Sequence, residues 1–283
     1  MRTGRVFIGA GTLVVVLCVF AVDHYWTGGF LSAALLSAIA LSASYELCEV
    51  LERAGIPVFR VATAGASFVV ALLPAVVLRA WEGTSPFAPQ AGVIFGFMML
   101  AFGMGMRKGN PPWGAKAVIG STFVLVYVGL SLSFLVRLRD IPVVGEELLL
   151  FSIGCAKLGD IGAYFVGRTF GRHQLSPKLS PKKTVEGAFG GVVGSLAAAL
   201  IVRLLFGGSL GLPTLVVWAV ILTVAAQFGD LAESLIKRAA DIKDSSPTLG
   251  TMGGVLDLVD SLLLSAPVAY ILALIWELGA VQG

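Results

Sequence analysis

The chain has 283 residues, 57% hydrophobic and 13% charged, with 20 Lys and Arg against 17 Asp and Glu for a net charge of +3. Soluble domains are about 45–50% apolar and about 25% charged, so this composition excludes a soluble enzyme, a nucleic-acid-binding domain, a secreted disulfide scaffold and a disordered tail. Cys18, Cys48 and Cys155 stand far apart in apolar runs, match no metal spacing and, being odd in number, give no disulfide framework.

The first apolar run, 6–22, follows Arg2 and Arg5. No small-x-small cleavage site comes after it, so it reads as a retained span with an aromatic interfacial end at Tyr25 and Trp26. Eight more runs lie near 30–48, 61–79, 87–106, 116–136, 148–167, 187–206, 212–230 and 255–277. Each approaches the roughly 20 residues that cross a bilayer core, and none alternates as a strand does. The pattern predicts an all-α integral membrane protein of about nine transmembrane helices with its N-terminus cytoplasmic. Alternating the loops puts fifteen lysines and arginines on the N-terminal side and four on the other, with Lys157 inside a span. Positive charge marks the cytoplasmic side, which predicts a multi-pass protein of the cytoplasmic membrane with its long loops facing the cytoplasm. Residues 1–283 read as one polytopic domain. Helices of 1–140 serve structure, dimer contact or lipid, and 148–277 carry the catalytic helices and cytoplasmic loops. The first half is bland apolar helix apart from Glu46, near the inner end of the second span.

The second half sets Lys157, Asp160, Asp230, Asp257 and Asp260 at or inside the membrane. A charge at mid-bilayer costs about 2.5–3.5 kcal/mol. Four acids against one lysine exceed a structural ion pair, so the aspartates predict a hydrated cavity or a bound cation. After Gly229, residues Asp230, Glu233, Ser234, Lys237, Arg238 and Asp241 fall on one face of a helix continuing from an apolar run. Lys243 and Asp244 lead into a Ser245-Ser246-Pro247 turn. Gly253 and Gly254 then precede a helix, where backbone N–H groups can approach an anion. Asp257 and Asp260 follow, three residues apart on one helical face. Paired carboxylates suit a hard cation such as Mg²⁺, which takes one or two of them plus substrate phosphates. In the other long loop, Ser180 and Pro181 read as the N-cap and first position of a helix with Lys182 and Lys183 in its first turn. Cations there oppose the helix dipole unless a strongly anionic group binds between them. His24 and His173 are the only histidines and support no catalytic triad. The ensemble points to phosphoryl or nucleotidyl chemistry on a lipid headgroup, where Lys, Arg and metal cancel the repulsion between two anions.

Three stretches, in order, resemble the phosphatidate cytidylyltransferase (CDP-diacylglycerol synthase) family. They are Asp160 to Phe165; Ser180 to Gly187; and Gly229-Asp230-Leu231 with Ser234, Lys237-Arg238, Lys243-Asp244, Gly253-Gly254, Asp257 and Asp260. The motif coverage is roughly 155–265. Where the family has Pro-Gly-His this chain has Gly250-Thr251-Met252, and Leu258 replaces an arginine. The resemblance implies cytidylyl transfer from CTP to phosphatidate, giving CDP-diacylglycerol and pyrophosphate. It implies Mg²⁺, with a potassium ion beside it, and a homodimer in contact with membrane lipids. It implies that Asp230 and Asp257 hold the metal with Asp260 beside them. Lys237, Arg238 and Lys243 would neutralise phosphates, and Ser180, Lys182, Lys183, Thr184 and Glu186 would bind the nucleotide or headgroup. Asp160, Ser234, Asp244, Gly253 and Gly254 complete the expected substrate site. Two other readings remain at this point. One is a CTP-dependent kinase acting on an isoprenoid alcohol, which would release CDP. The other is an ion-coupled transporter, against which stands the lack of an internal repeat.

Overall fold

The computed structural model describes residues 23, 27–80, 85–207, 210–246 and 253–282, with side chains in the last helix as far as 276. The helices are α1 (Phe30–Arg53), α2 (Arg60–Ala80), α3 (Phe87–Arg107) and α4 (Pro111–Arg139, with a π-helical turn at Leu125–Leu130). They continue as α5 (Gly145–Phe170), α6 (Val185–Phe206), α7 (Leu212–Ala239) and α8 (Val255–Gln282). Among the described residues these are eight helices long and apolar enough to cross a membrane. They coincide with the eight later runs of the sequence, and the protein is a multi-pass membrane protein. The expected first span, 6–22, lies outside the described residues.

Local chemistry explains where the helices begin. The Asp23 carboxylate accepts from the N–H groups of Gly29 (3.1 Å) and Leu31 (2.9 Å) at the start of α1. Asn110 accepts from the Trp113 N–H (3.2 Å) just before the prolines that open α4. Pro74 and Pro267 lie inside α2 and α8. Membrane helices tolerate such breaks because neighbouring groups satisfy the freed backbone.

The chain gathers into two compact units, Met1–Val136 with Asp244–Leu258 and Arg137–Lys243 with Val259–Gly283. The first unit has an apolar core of Val70, Phe97, Ala101, Val118 and Leu125. Gln90, fully enclosed, donates to the Val70 carbonyl (2.7 Å), and the Phe59 N–H donates to Ser121 Oγ (2.9 Å). In the second unit α5 and α6 pack backbone to backbone. A Cβ on Gly162 would stand 2.3 Å from the Gly190 carbonyl oxygen, and one on Gly194 would stand 2.1 Å from that of Leu158. Small residues allow this approach where lipid supplies no hydrophobic drive between helices. Ser195 Oγ donates to the Cys155 carbonyl (2.9 Å) and lies 2.6 Å from Thr223 Oγ1, which ties α5, α6 and α7 together.

Two sequence expectations need correction here. The Ser180-Pro181 segment does not start a helix. Gln174–Ser176 (β1) pairs antiparallel with Ser180–Thr184 (β2), with Gln174 opposite Thr184 and Ser176 opposite Ser180. The helix begins at Val185, where Thr184 Oγ1 accepts from the Gly187 N–H (3.0 Å). A fixed proline φ suits an edge strand as well as a first helical turn, and the threonine cap decides between them. Lys182 and Lys183 therefore precede the helix instead of opposing its dipole from within. The polar stripe of α7 is also shorter than expected. It runs from Asp230 to Arg238, and Asp241 lies beyond the helix end with a φ of 55°.

Candidate active site

In the second unit α5, the β1–β2 hairpin, the start of α6 and the middle of α7 enclose a cavity of about 500 Å³. Asp160, Tyr164 and Arg168 line it from α5, one helical turn apart along one face. Lys182, Lys183 and Thr184 come from β2, and Gln227 and Asp230 from α7. Five of the expected site residues, Asp160, Lys182, Lys183, Thr184 and Asp230, thus meet in one space. The volume falls in the range of small-molecule sites.

Two ion pairs stand in and beside this cavity. Lys183 Nζ forms an ion pair with Asp230 Oδ2. Lys157 Nζ lies 3.7 Å from Asp160 Oδ2 and donates to Ser261 Oγ (3.2 Å), which itself donates to Asp160 Oδ2 (3.3 Å). Ser234 Oγ reaches Asp230 Oδ1 at 3.5 Å. A Cβ on Gly229 would stand 2.5 Å from the Asp260 carbonyl oxygen, so the turn carrying Asp230 lies against the turn carrying Asp260. Asp260 lies within electrostatic range of Asp230, Lys157 and Asp160.

Other expected residues sit around this centre with partners of their own. Arg238 donates to the carbonyls of Leu179 (3.3 Å) and Ile242 (2.9 Å), joining the hairpin loop to the end of α7. Lys237 pairs with the buried Glu233 at 2.6 Å. Glu186 accepts from the N–H groups of Arg172 (3.0 Å) and His173 (3.2 Å) and pairs with His173 Nδ1 (2.6 Å). Its carboxylate fastens the segment that leads into β1. Ser180 is half-buried in β2, and Lys243 is exposed.

Asp257, Gly253, Gly254 and Asp244 belong to the first unit. Asp257 Oδ2 accepts from the Ser245 N–H (3.0 Å), Ser245 Oγ (2.8 Å) and the Gly254 N–H (2.7 Å). Gly253 has a φ of +92°, a conformation that favours glycine. The N–H groups of Val255 and Leu256 bond to the Glu46 carboxylate at 3.1 and 2.8 Å. The N–H groups at this helix start meet the chain's own carboxylates. Met252 lies outside the described residues.

A family model described as the cytidylyltransferase family matches residues 4–276. The chain belongs to that family. It is 31% identical to a phosphatidate cytidylyltransferase of Chlamydia muridarum over 96% of this chain and 91% of that protein. A phosphatidate cytidylyltransferase of Thermotoga maritima is 33% identical, with 86% of this chain and 87% of that protein covered. One from Aquifex aeolicus is 41% identical over 59% of this chain and 61% of that protein. These matches place the chain among membrane nucleotidyltransferases.

Sequence reasoning missed Tyr164, Arg168 and Gln227 as lining residues, and Glu46, Ser245 and Ser261 as partners of the aspartates. The four-residue spacing of Asp160, Tyr164 and Arg168 was the available signal for two of them. Nothing local marks Ser245 as the partner of a residue in α1.

Proposed function

We propose that the protein transfers the cytidylyl group of CTP to phosphatidate, giving CDP-diacylglycerol and pyrophosphate for phospholipid synthesis. The observation that carries this reading is the cavity shared by Lys182, Lys183, Arg168, Asp160 and Asp230, in a chain of the cytidylyltransferase family. A phosphate oxygen of phosphatidate, already ionised at neutral pH, attacks the α-phosphorus of CTP. As that P–O bond forms, the bond from the α-phosphorus to the bridging oxygen breaks, and pyrophosphate leaves with the electron pair. No general base is needed, so catalysis rests on in-line positioning and charge neutralisation. Lys182, Lys183 and Arg168 offer that positive charge in the cavity. Lys183 is paired with Asp230, and its ammonium carries further N–H donors that can engage a phosphate. Lys237, Arg238 and Lys243 join the phosphate-binding set on their motif.

The donors suit Mg²⁺. They are the carboxylate oxygens of Asp230 and Asp260, whose helical turns lie against each other. Mg²⁺ fits such a site because it keeps water and substrate phosphate in its shell. Asp230 and Asp260 would hold it, with K⁺ beside it, and Asp257 enters the set on its motif alone. The bound metal would withdraw charge from the phosphates undergoing transfer. The proposed setting is the cytoplasmic membrane, with the site on the cytoplasmic face where the sequence concentrates Lys and Arg, and the proposed assembly is a homodimer.

The test uses full-length protein in detergent with CTP, phosphatidate and Mg²⁺, following pyrophosphate and CDP-lipid together. Equal, metal-dependent appearance of both, abolished by chelation, is the expected result. CDP release with a lipid alcohol, and no pyrophosphate with phosphatidate, would overturn the reading in favour of a kinase.

A further inference from the structure

The carboxylate of Glu46 in α1 is buried, 5% exposed, in a unit made mainly of the first four helices. It accepts from the backbone N–H groups of Val255 (3.1 Å) and Leu256 (2.8 Å) at the start of α8, and from Ser245 Oγ (3.2 Å). The same Ser245 hydroxyl stands 2.8 Å from Asp257 Oδ2, which also accepts from the Gly254 N–H. Two carboxylates, from α1 and α8, therefore divide the first N–H groups of one helix and share one hydroxyl. That hydroxyl has a single proton to donate, so the position of Glu46 bears on how Ser245 serves Asp257. Space around them is tight. A Cβ on Gly254 would stand 2.3 Å from both Glu46 Oε2 and Ser245 Oγ.

The first N–H groups of a helix have no partner within it; Asp257 takes that of Gly254, just before α8, and Glu46 takes those of Val255 and Leu256. A second buried carboxylate is costly unless its bonds are used. Its bonds here fix the backbone just after Gly254 and the hydroxyl that touches Asp257. We propose that Glu46 is a positioning residue for the metal-ligating Asp257: through the first turn of α8 and Ser245 it sets where the Asp257 carboxylate stands. The inference rests on the reading of Asp257 as a metal ligand. It gives the apolar N-terminal helices a part in the reaction that they do not take by touching substrate.

The experiment measures Mn²⁺ binding to the full-length protein in detergent, without nucleotide, together with kcat and KM. Glu46→Gln keeps the shape and one acceptor oxygen and removes the charge. It should weaken Mn²⁺ binding about tenfold and lower kcat at subsaturating metal, while KM for CTP at saturating metal stays within about twofold. In an Asp257→Asn background, Glu46→Gln should add no further loss of Mn²⁺ affinity, because its effect passes through Asp257. Wild-type Mn²⁺ binding by Glu46→Gln, or an additive loss in the double variant, would overturn the proposal and leave Glu46 a helix clasp. If Glu46→Gln fails to fold, Ser245→Ala reads the same link. It removes the shared hydroxyl and keeps both backbone bonds of Glu46. Weakened Mn²⁺ binding by Ser245→Ala then supports the proposal, and unchanged binding overturns it. Wild-type Mn²⁺ binding by Asp257→Asn alone would remove the metal assignment itself, which separates failure of that reading from failure of the inference.

Discussion

Lys182 and Lys183 are adjacent in β2, yet the strand gives them different surroundings. Lys182 is exposed, and Lys183 is half-buried in its ion pair with Asp230. Charge-assisted hydrogen bonds contribute about 1.5–3 kcal/mol each. Removing two such contacts costs about 3–6 kcal/mol, so replacing both lysines by alanine should raise KM for CTP or phosphatidate by about a hundredfold or more and spare the fold, as steady-state kinetics and thermal unfolding together would show. Unchanged KM values would leave the two lysines as a topology signal only. At this scale the sequence carried the identity of the reactive residues better than their neighbours. Asp160, Lys183 and Asp230 announce themselves as charges in or beside apolar runs. The link between Glu46 and Ser245 does not: Glu46 stands out among apolar helices, but 199 residues separate it from Ser245 and nothing local pairs the two.

Long helices were legible because each is one uninterrupted apolar run of membrane-crossing length. The β1–β2 hairpin was not. Its strands are three and five residues long and carry no alternating apolar pattern, and Ser180-Pro181 imitates a helix start. What distinguishes the two outcomes is a cap formed four residues later by Thr184, with Glu186 gathering backbone N–H groups from before β1. The α5–α6 contact was equally hidden, because glycines read as weak helix formers until the partner helix is known. A Cβ on Gly190 would stand 2.4 Å from Val166 Cβ and 2.6 Å from the Gly162 carbonyl oxygen. Gly190→Val should therefore destabilise the protein by about 3 kcal/mol, the upper end for overpacking, since backbone cannot rotate out of the way. Gly96→Ala in α3 has open space where its Cβ would go and should change the unfolding temperature little. Equal effects from the two would contradict the backbone packing.

For the molecule as a whole, the sidedness of the loops is the expectation to test. Cys48 and Cys155 are buried, so in a Cys18→Ser chain an added thiol is the accessible one. Lys178→Cys, on the exposed tip of the hairpin, should react with a membrane-impermeant maleimide in inside-out vesicles and resist it in right-side-out ones. The reverse pattern would invert the assignment drawn from the lysines and arginines. The glycine packing of α5 and α6 reaches into the site as well, since Ala163, Gly167, Gly187 and Ala188 form part of the cavity wall. Residues this small have no rotamers to surrender when a ligand arrives. The entropy lost on loading the cavity therefore falls on the longer side chains that line it and on the substrates, while this part of the wall has none to lose.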